Sequence, residues 1–229
     1  MKKIISIVMF CLLYFESQYS QEKKELDSVK VRKNAIGISA GIPGFGFDYA
    51  RKLSTKLSGK FRYSTFKMDD FDAGEIDVNG NMVNGSVSIE SNIIDFLVEF
   101  LPFKNSSFKL VGGVGVINKL NINVFMVYDN SVTFGDVVLD KEDYGDVNLG
   151  FSWDSSVAPY LGLGFGRAVP NSRLGFGIEA GSYFTSSPLM TLEATKLLAP
   201  TADQIEEVNE TFKTWKFIPL IQFRLVYTF

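Results

Sequence analysis

FIPLIQFRLVYTF, residues 217–229, decides how the rest of the chain is read. Ile221, Phe223, Leu225, Tyr227 and Phe229 form one unbroken apolar face, while Gln222, Arg224 and Thr228 fall on the other. A period of two is the mark of a strand with one greasy side. The same alternation runs backward through the chain. Val157, Pro159, Leu161, Leu163 and Phe165 oppose Ala158, Tyr160, Gly162, Gly164 and Gly166, and Leu174, Phe176, Ile178 and Ala180 oppose Arg173, Gly175, Gly177, Glu179 and Gly181. Phe108, Leu110, Val114 and Val116 oppose Lys109, Val111, Gly113 and Gly115, and Ile94, Phe96, Val98 and Phe100 oppose Asp95, Leu97 and Glu99. Nearer the start, Phe61 and Tyr63 face away from Lys60 and Arg62, Phe45, Phe47 and Tyr49 from Asp48 and Lys52, and Ala35 to Ile42 alternates small with apolar.

Period alone does not identify the solvent, but the distribution of bulk does. In most runs the face that carries the charges or the small residues also carries the glycines, and the opposite face carries Phe, Tyr, Leu and Ile. A soluble barrel would turn the bulky face inward and leave those glycines unexplained. A small transmembrane barrel turns the bulk to lipid and needs small residues and paired charges in a narrow lumen. Hydrocarbon cannot satisfy backbone N–H and C=O groups, so strands there must close into a ring. The expectation is an all-β protein: an antiparallel transmembrane β-barrel of about eight strands over residues 35–229, with one short loop helix. Asp48, Lys52, Lys60, Arg62, Asp95, Glu99, Lys109, Arg173, Glu179 and Arg224 share the inward phase and are expected to form a polar network in the lumen.

Loop lengths support an even strand count. Turns near Ser54, Lys104 and Pro170 are short, whereas the segments 69–84, 118–155 and 186–214 are long, as inner turns and outer loops should be. The turn at Pro43 is the short exception among the outer ones. Asn79-Gly80 is a type I′ hairpin signal within the acidic first segment, which is therefore expected to be a strand pair projecting beyond the membrane, and Trp153 and Trp215 are expected at the outer interface, where aromatic belts concentrate. Pro159 and Pro219 sit within strands and each removes a ladder donor.

The chain opens with Lys2 and Lys3, an apolar stretch from Ile4 to Tyr14, and a polar end at Ser20. That order predicts a secretory signal peptide over 1–20, too short to span a bilayer as a helix. Residues 21–34 read as a charged periplasmic tail. Lys2, Lys3 and Glu16 leave with the leader and shift the formal charge from −3 to −4, so nucleic acid is not an expected partner. The single cysteine, Cys11, leaves as well, which excludes disulfides.

Histidine is absent from all 229 residues, and with it the usual general base and the commonest transition-metal ligand. No catalytic residue, metal ligand or cofactor is expected. Asp95 and Glu99 lie about 13 Å apart along one strand at 3.3 Å per residue, too far to act on one glycosidic bond. Asp129, Asp136, Asp140, Glu142, Asp143 and Asp146 lack the spacing of a calcium loop and read as solvated surface. Residues 201–214 predict the helix, with Thr201 and Gln204 as a capping box and Ile205, Val208 and Phe212 as its apolar stripe, packed on the barrel rim.

The terminal run ending in Phe223, Leu225, Tyr227 and Phe229 resembles the assembly signal of bacterial outer-membrane proteins. With APYLGLGFGR at 158–167, DFLVEFLPF at 95–103 and FKLVGGVG at 108–115, the chain resembles small Gram-negative outer-membrane barrels of the broad OmpA/OmpW-like, porin-like type. The end of the leader, QYSQE at 18–22, is similar to that of exported Bacteroidetes proteins. The resemblance implies outer-membrane lipid and the barrel-assembly machinery as partners, the latter through the C-terminal strand; a surface ligand it does not name. Enzymes on such barrels depend on a histidine that this chain lacks, so the resemblance implies a structural or surface-interaction protein. The alternatives are an OmpW-like channel for small hydrophobic molecules, which would have an apolar tunnel, and a soluble periplasmic binding barrel, which would have an apolar cavity and no lipid-facing band.

Overall fold

The computed structural model describes residues 32–78, 81–128, 132–134, 137–139, 145–153 and 156–229. The predicted signal peptide, most of the predicted tail and the acidic residues 129, 136, 140, 142 and 143 lie outside the described residues. The strands are β1 Asn34–Ile42, β2 Gly44–Lys52, β3 Leu57–Val78, β4 Asn81–Phe100, β5 Phe108–Tyr128, β6 Val132–Phe134, β7 Val137–Leu139, β8 Asp146–Trp153, β9 Ser156–Phe165, β10 Leu174–Phe184, β11 Leu189–Ala194 and β12 Phe217–Thr228. A 3-10 segment, Lys196–Gln204, and helix α1, Ile205–Phe212, precede β12.

Eight strands close into an antiparallel ring in the order β1-β2-β3-β4-β5-β9-β10-β12, with β12 pairing back on β1 from Ala35↔Thr228 to Ile42↔Ile221. Closure removes the open edges that hydrocarbon does not tolerate. Both ends of the ring meet at the short-turn end, where the Phe229 N–H donates to Asn34 O at 3.0 Å.

The wall is uneven in height. β1 and β2 have nine residues each, about one tilted bilayer crossing, whereas β3, β4 and β5 have 22, 20 and 21. Above the β1–β2 turn the sheet continues as β3-β4-β5-β8-β11, with β8 on the distal half of β5 and β9 on its proximal half. Residues 69–78 and 81–84 belong to the expected projecting strand pair, the upper parts of β3 and β4, and much of what reads as loop at 118–155 and 186–214 is strand as well. Polar and acidic residues hid it: once the wall leaves the membrane both faces can be wet, and the bulk contrast that marks the lower strands is lost. The β3 ladder also carries irregularities between Met68 and Phe71 and between Asp72 and Gly74, which reset the alternation. The last ladder pair between β3 and β4 is Val78↔Asn81, and residues 79 and 80 lie outside the described residues.

Around the lower ring the apolar face is the outer one. Phe176 is 79% exposed and Phe223 64%, and Phe47, Leu163 and Ile221 stand on the same surface. The band ends upward at a polar ladder, where Asn92 Nδ2 donates to Tyr63 OH at 2.8 Å and Asn118 Nδ2 to Asn92 Oδ1 at 3.1 Å, beside the exposed pair Lys119–Glu90 at 2.6 Å. At the other end Tyr49 OH donates to Asn34 Oδ1 at 2.8 Å. Aromatic and polar girdles at both limits of a greasy zone are those of a bilayer-spanning barrel.

The helix is shorter than its sequence signal. Thr201 to Gln204 belong to the 3-10 segment, and α1 starts at Ile205 with no side-chain cap, so the expected capping box does not form. Its stripe behaves as expected: Ile205, Val208 and Phe212 are half-buried, and the Phe212 ring meets Phe151 of β8 edge-on at 5.5 Å. Pro159 and Pro219 both keep their places in the ring, opposite Val114 and Ser182.

Candidate functional site

The inward face of the ring brings three cations and three carboxylates together. Lys60 on β3 and Lys109 on β5 both bridge Glu99 on β4 and Glu179 on β10: Lys60 Nζ lies 2.7 Å from Glu99 Oε1 and 2.9 Å from Glu179 Oε2, and Lys109 Nζ is 2.9 Å from each. Arg62 Nε donates to Asp95 Oδ2 at 2.7 Å and its Nη1 to Glu179 Oε1 at 3.3 Å. Two phenols complete the cluster. Tyr160 OH donates to Glu179 at 2.9 Å, Tyr183 OH donates to Asp95 at 3.1 Å, and Arg62 Nη2 donates to Tyr183 OH at 3.1 Å. All of these side chains are buried. Desolvating six charges is tolerable only when each meets an opposite charge in good geometry. The alternation of β3, β4, β5 and β10 supplies that arrangement.

The glycines are the spaces in which this cluster sits. A Cβ at Gly115 would lie 2.6 Å from the Tyr183 ring and 2.8 Å from Asp95 Oδ1, and one at Gly37 would lie 2.8 Å from Arg224 Nε. Arg224 forms a second, separate pair with Asp48, its Nε donating to Oδ2 at 2.8 Å, and its Nη1 donates to Ala168 O at 3.1 Å. Ala168 belongs to the β9–β10 turn, which folds inward and buries Ala168 and Val169 against Ala35, Ala50 and Val226. Sequence reasoning missed this plug. Its one signal is Gly166, whose φ of +100° takes the chain out of β9 in a conformation other residues avoid.

Two residues of the expected lumen set stand apart. Lys52 is only half-buried at the end of β2 and makes no ion pair among the described residues; Arg173 is exposed, one residue before β10 begins. Both share the inward phase, but they lie at the ring's short-turn rim, where their side chains reach solvent. Tyr160 and Tyr183 are the cluster members that an emphasis on charge left out, although Tyr160 lies in the glycine phase of β9.

Above the cluster the interior turns apolar. Ile93, Ile117, Ala158 and Leu220 pack over the two tyrosines, and Leu120 and Trp153 over them in turn. Beyond this layer a chamber of about 480 Å³ lies between the tall wall and the β1–β2 turn, walled by Phe66, Ile89, Ile122, Phe151, Trp153 and Trp215 among others. Trp153 is 6% exposed and turned inward. The expected interface position is therefore wrong for this residue: β8 belongs to the extension above the band, and Trp153 is on its inner face. Trp215 stands on the outer rim of the same chamber, stacked on Phe212 at 5.6 Å. Among the described residues no His, Cys, Asp and Glu group could hold a metal ion.

With this geometry in place, comparison with solved structures gives a direct answer for the fold. Acinetobacter baumannii CarO superposes with a TM-score of 0.63 at 16% identity, over 89% of this chain and 100% of that one. CarO2 of the same organism gives 0.66 at 15%, over 87% and 99%. The chain folds as an eight-stranded antiparallel transmembrane β-barrel, similar to these outer-membrane proteins. A major outer membrane protein from Thermus thermophilus aligns at a TM-score of 0.37 and 17% identity, over 86% of this chain and 98% of that one, too loosely to bear on the fold. No family model and no curated protein sequence matches the chain.

Proposed function

We propose that this protein is a non-enzymatic outer-membrane barrel of structural or surface-interaction type, closed to passage, with its tall wall as the working surface outside the cell. The reading rests on the neutral cluster of Lys60, Arg62, Lys109, Asp95, Glu99 and Glu179, which spans the ring from β3 to β10 through direct bonds of 2.7 to 3.3 Å. An eight-stranded ring is just wide enough for side chains to fill, and the inward β9–β10 turn narrows the short-turn end further. Without histidine, and with every cation of the cluster held by carboxylates, no side chain among the described residues is poised as base or nucleophile.

Insertion is assigned to the barrel-assembly machinery acting on the C-terminal strand, with Phe223, Leu225, Tyr227 and Phe229 as its recognition face and outer-membrane lipid as the solvent of that face. A through-channel for hydrophobic molecules is disfavoured by the buried layer of Ile117, Leu120 and Leu220 beneath the chamber. A soluble binding barrel is disfavoured by the outward phenylalanines.

Reconstitution in planar bilayers tests closure. The expected result is no unitary conductance above the lipid background and no liposome swelling with small sugars. A reproducible single-channel step from the monodisperse protein sinks the reading.

A further inference from the structure

We infer that the short-turn end of the barrel is a basic collar for anionic phospholipid headgroups, which holds lipids of the phosphatidylglycerol type around the base of the wall in the periplasmic leaflet. The inference rests on the outer-membrane reading above and adds which lipid the protein selects. Lys33 precedes β1, Arg51 continues the outward row of β2 after Phe47 and Tyr49, Lys56 lies in the β2–β3 turn, Lys104 in the β4–β5 turn, and Arg173 just before β10. Every short turn and the entry to the ring thus carry a cation. All five are exposed, and none makes an ion pair or a side-chain hydrogen bond among the described residues. Half-buried Arg32, Lys52 and Arg167 stand at the same end.

Opposing charge does not follow these cations. Asp48 and Glu99 at this end are buried in the pairs described above, and the exposed opposing group among the described residues is the terminal carboxylate of Phe229. Residues 21–31 hold Glu22, Glu25 and Asp27 against Lys23, Lys24 and Lys30, so they bring no net charge. The far end of the molecule is acidic, with Asp69, Asp72 and Glu75 exposed on β3 and Glu206, Glu207 and Glu210 on α1. The whole chain has a formal charge of −3, so the basic end is a segregation and not a surplus. Its height selects the partner. Arg51 is the ladder partner of Asn34, whose side chain accepts from Tyr49 at the lower girdle, so its charge stands where the hydrocarbon ends. Lys104 follows Phe103 and Arg173 precedes Leu174, apolar neighbours that are 61% and 59% exposed. Basic side chains rooted among apolar ones reach from the hydrocarbon edge to the headgroups, and about four to eight of them beside a membrane crossing attract anionic lipid. An anionic polymer of the periplasm would meet the cations but would leave Phe103 and Leu174 without a role.

The full-length mature protein is reconstituted in phosphatidylcholine vesicles that carry a trace of spin-labelled phosphatidylglycerol or spin-labelled phosphatidylcholine. Electron paramagnetic resonance reads the motionally restricted fraction of each label. Phosphatidylglycerol should be preferred about threefold averaged over both leaflets, because one cation facing each headgroup at one rim is worth about fivefold there. The preference should vanish in about 1 M sodium chloride, where the screening length is about 3 Å. Lys33→Gln, Arg51→Gln, Lys56→Gln, Lys104→Gln and Arg173→Gln together should bring the two labels to parity while heat-modifiable migration stays native. The milder pair Lys56→Gln and Lys104→Gln, which decides if the five do not fold together, should lower the preference part of the way. Lys67→Gln, Lys119→Gln and Lys213→Gln at the acidic end should leave it in place.

A preference lost with the collar cations and kept without the far-end ones supports the inference. Equal restriction of both labels by the native protein, or a preference that survives in a natively migrating collar variant, overturns it. Sedimentation with purified peptidoglycan that is lost with the five cations, while the lipid labels show no preference, overturns it as well and assigns the collar to the cell-wall polymer. A chain that does not enter the vesicles overturns the outer-membrane reading and this inference with it, whereas one that enters without selecting phosphatidylglycerol overturns the inference alone.

Discussion

At the scale of single residues, the interior of this barrel is decided by neutrality and fit. Glu179 accepts from Lys60, Lys109, Arg62 and Tyr160 at once. Glu179→Gln leaves an uncompensated positive charge in a dry lumen, and breaking a buried pair in this way costs about 3–5 kcal/mol. The midpoint of urea unfolding in lipid vesicles, followed by loss of heat-modifiable migration, should fall accordingly. Arg173→Ala at the exposed rim should change stability by no more than about 0.5 kcal/mol in the same titration. Space is as exacting as charge. Gly115→Ala would place a methyl against the Tyr183 ring and Asp95, and the forced repacking should cost about 1–3 kcal/mol by the same assay. An unchanged midpoint there would mean that Tyr183 can leave the cluster freely.

At the scale of elements, each ring strand is one crossing with an added length set by its partner. β12 is the clearest case, because buried and exposed positions alternate over all twelve of its residues. Phe223, paired with Ala40 on one side and Ile178 on the other, lies within the band. Phe223→Arg should therefore destabilise the barrel by about 2–4 kcal/mol, the cost of a basic residue near the midplane, and Phe71→Arg on the extended part of β3 by about 0–1 kcal/mol. Parallel urea titrations of the two variants check this depth dependence; equal losses would place the bilayer elsewhere on the wall. The limits of sequence reading also lie at this scale. The strands of the ring were legible because lipid outside and a crowded lumen inside impose opposite demands on alternate residues. β8, β11 and the distal halves of β3 to β5 face no such contrast; β8, β11 and the distal half of β5 read as loop, and the upper β3–β4 pair was legible only through its turn signal.

At the scale of the whole molecule, the ring is expected to form without the extension above it. The ring closes through β1, β2 and β12, and β1 and β2 offer only nine residues each to the membrane and to their neighbours. Joining residue 70 to residue 88 removes the upper part of the β3–β4 hairpin while keeping Phe66 and Ile89 of the chamber wall. The shortened protein should still fractionate with membranes and migrate heat-modifiably; failure to do so would make the extension part of the folding unit. The same asymmetry explains the Pro43 turn, the short exception among the outer connections. It is where the wall is low, and the chamber meets the outside there.

Alternation, segregated bulk and the glycines on the charged face together were enough for the fold class, the lipid-facing surface and most of the buried charges, because each is a local demand made on consecutive residues. Which charges actually meet, that Tyr160 and Tyr183 join them, that the β9–β10 turn folds inward and that Trp153 faces a chamber instead of a membrane interface were decided only when the ring closed. Those facts depend on the stagger between strands far apart in the chain, and no property of a single strand encodes it.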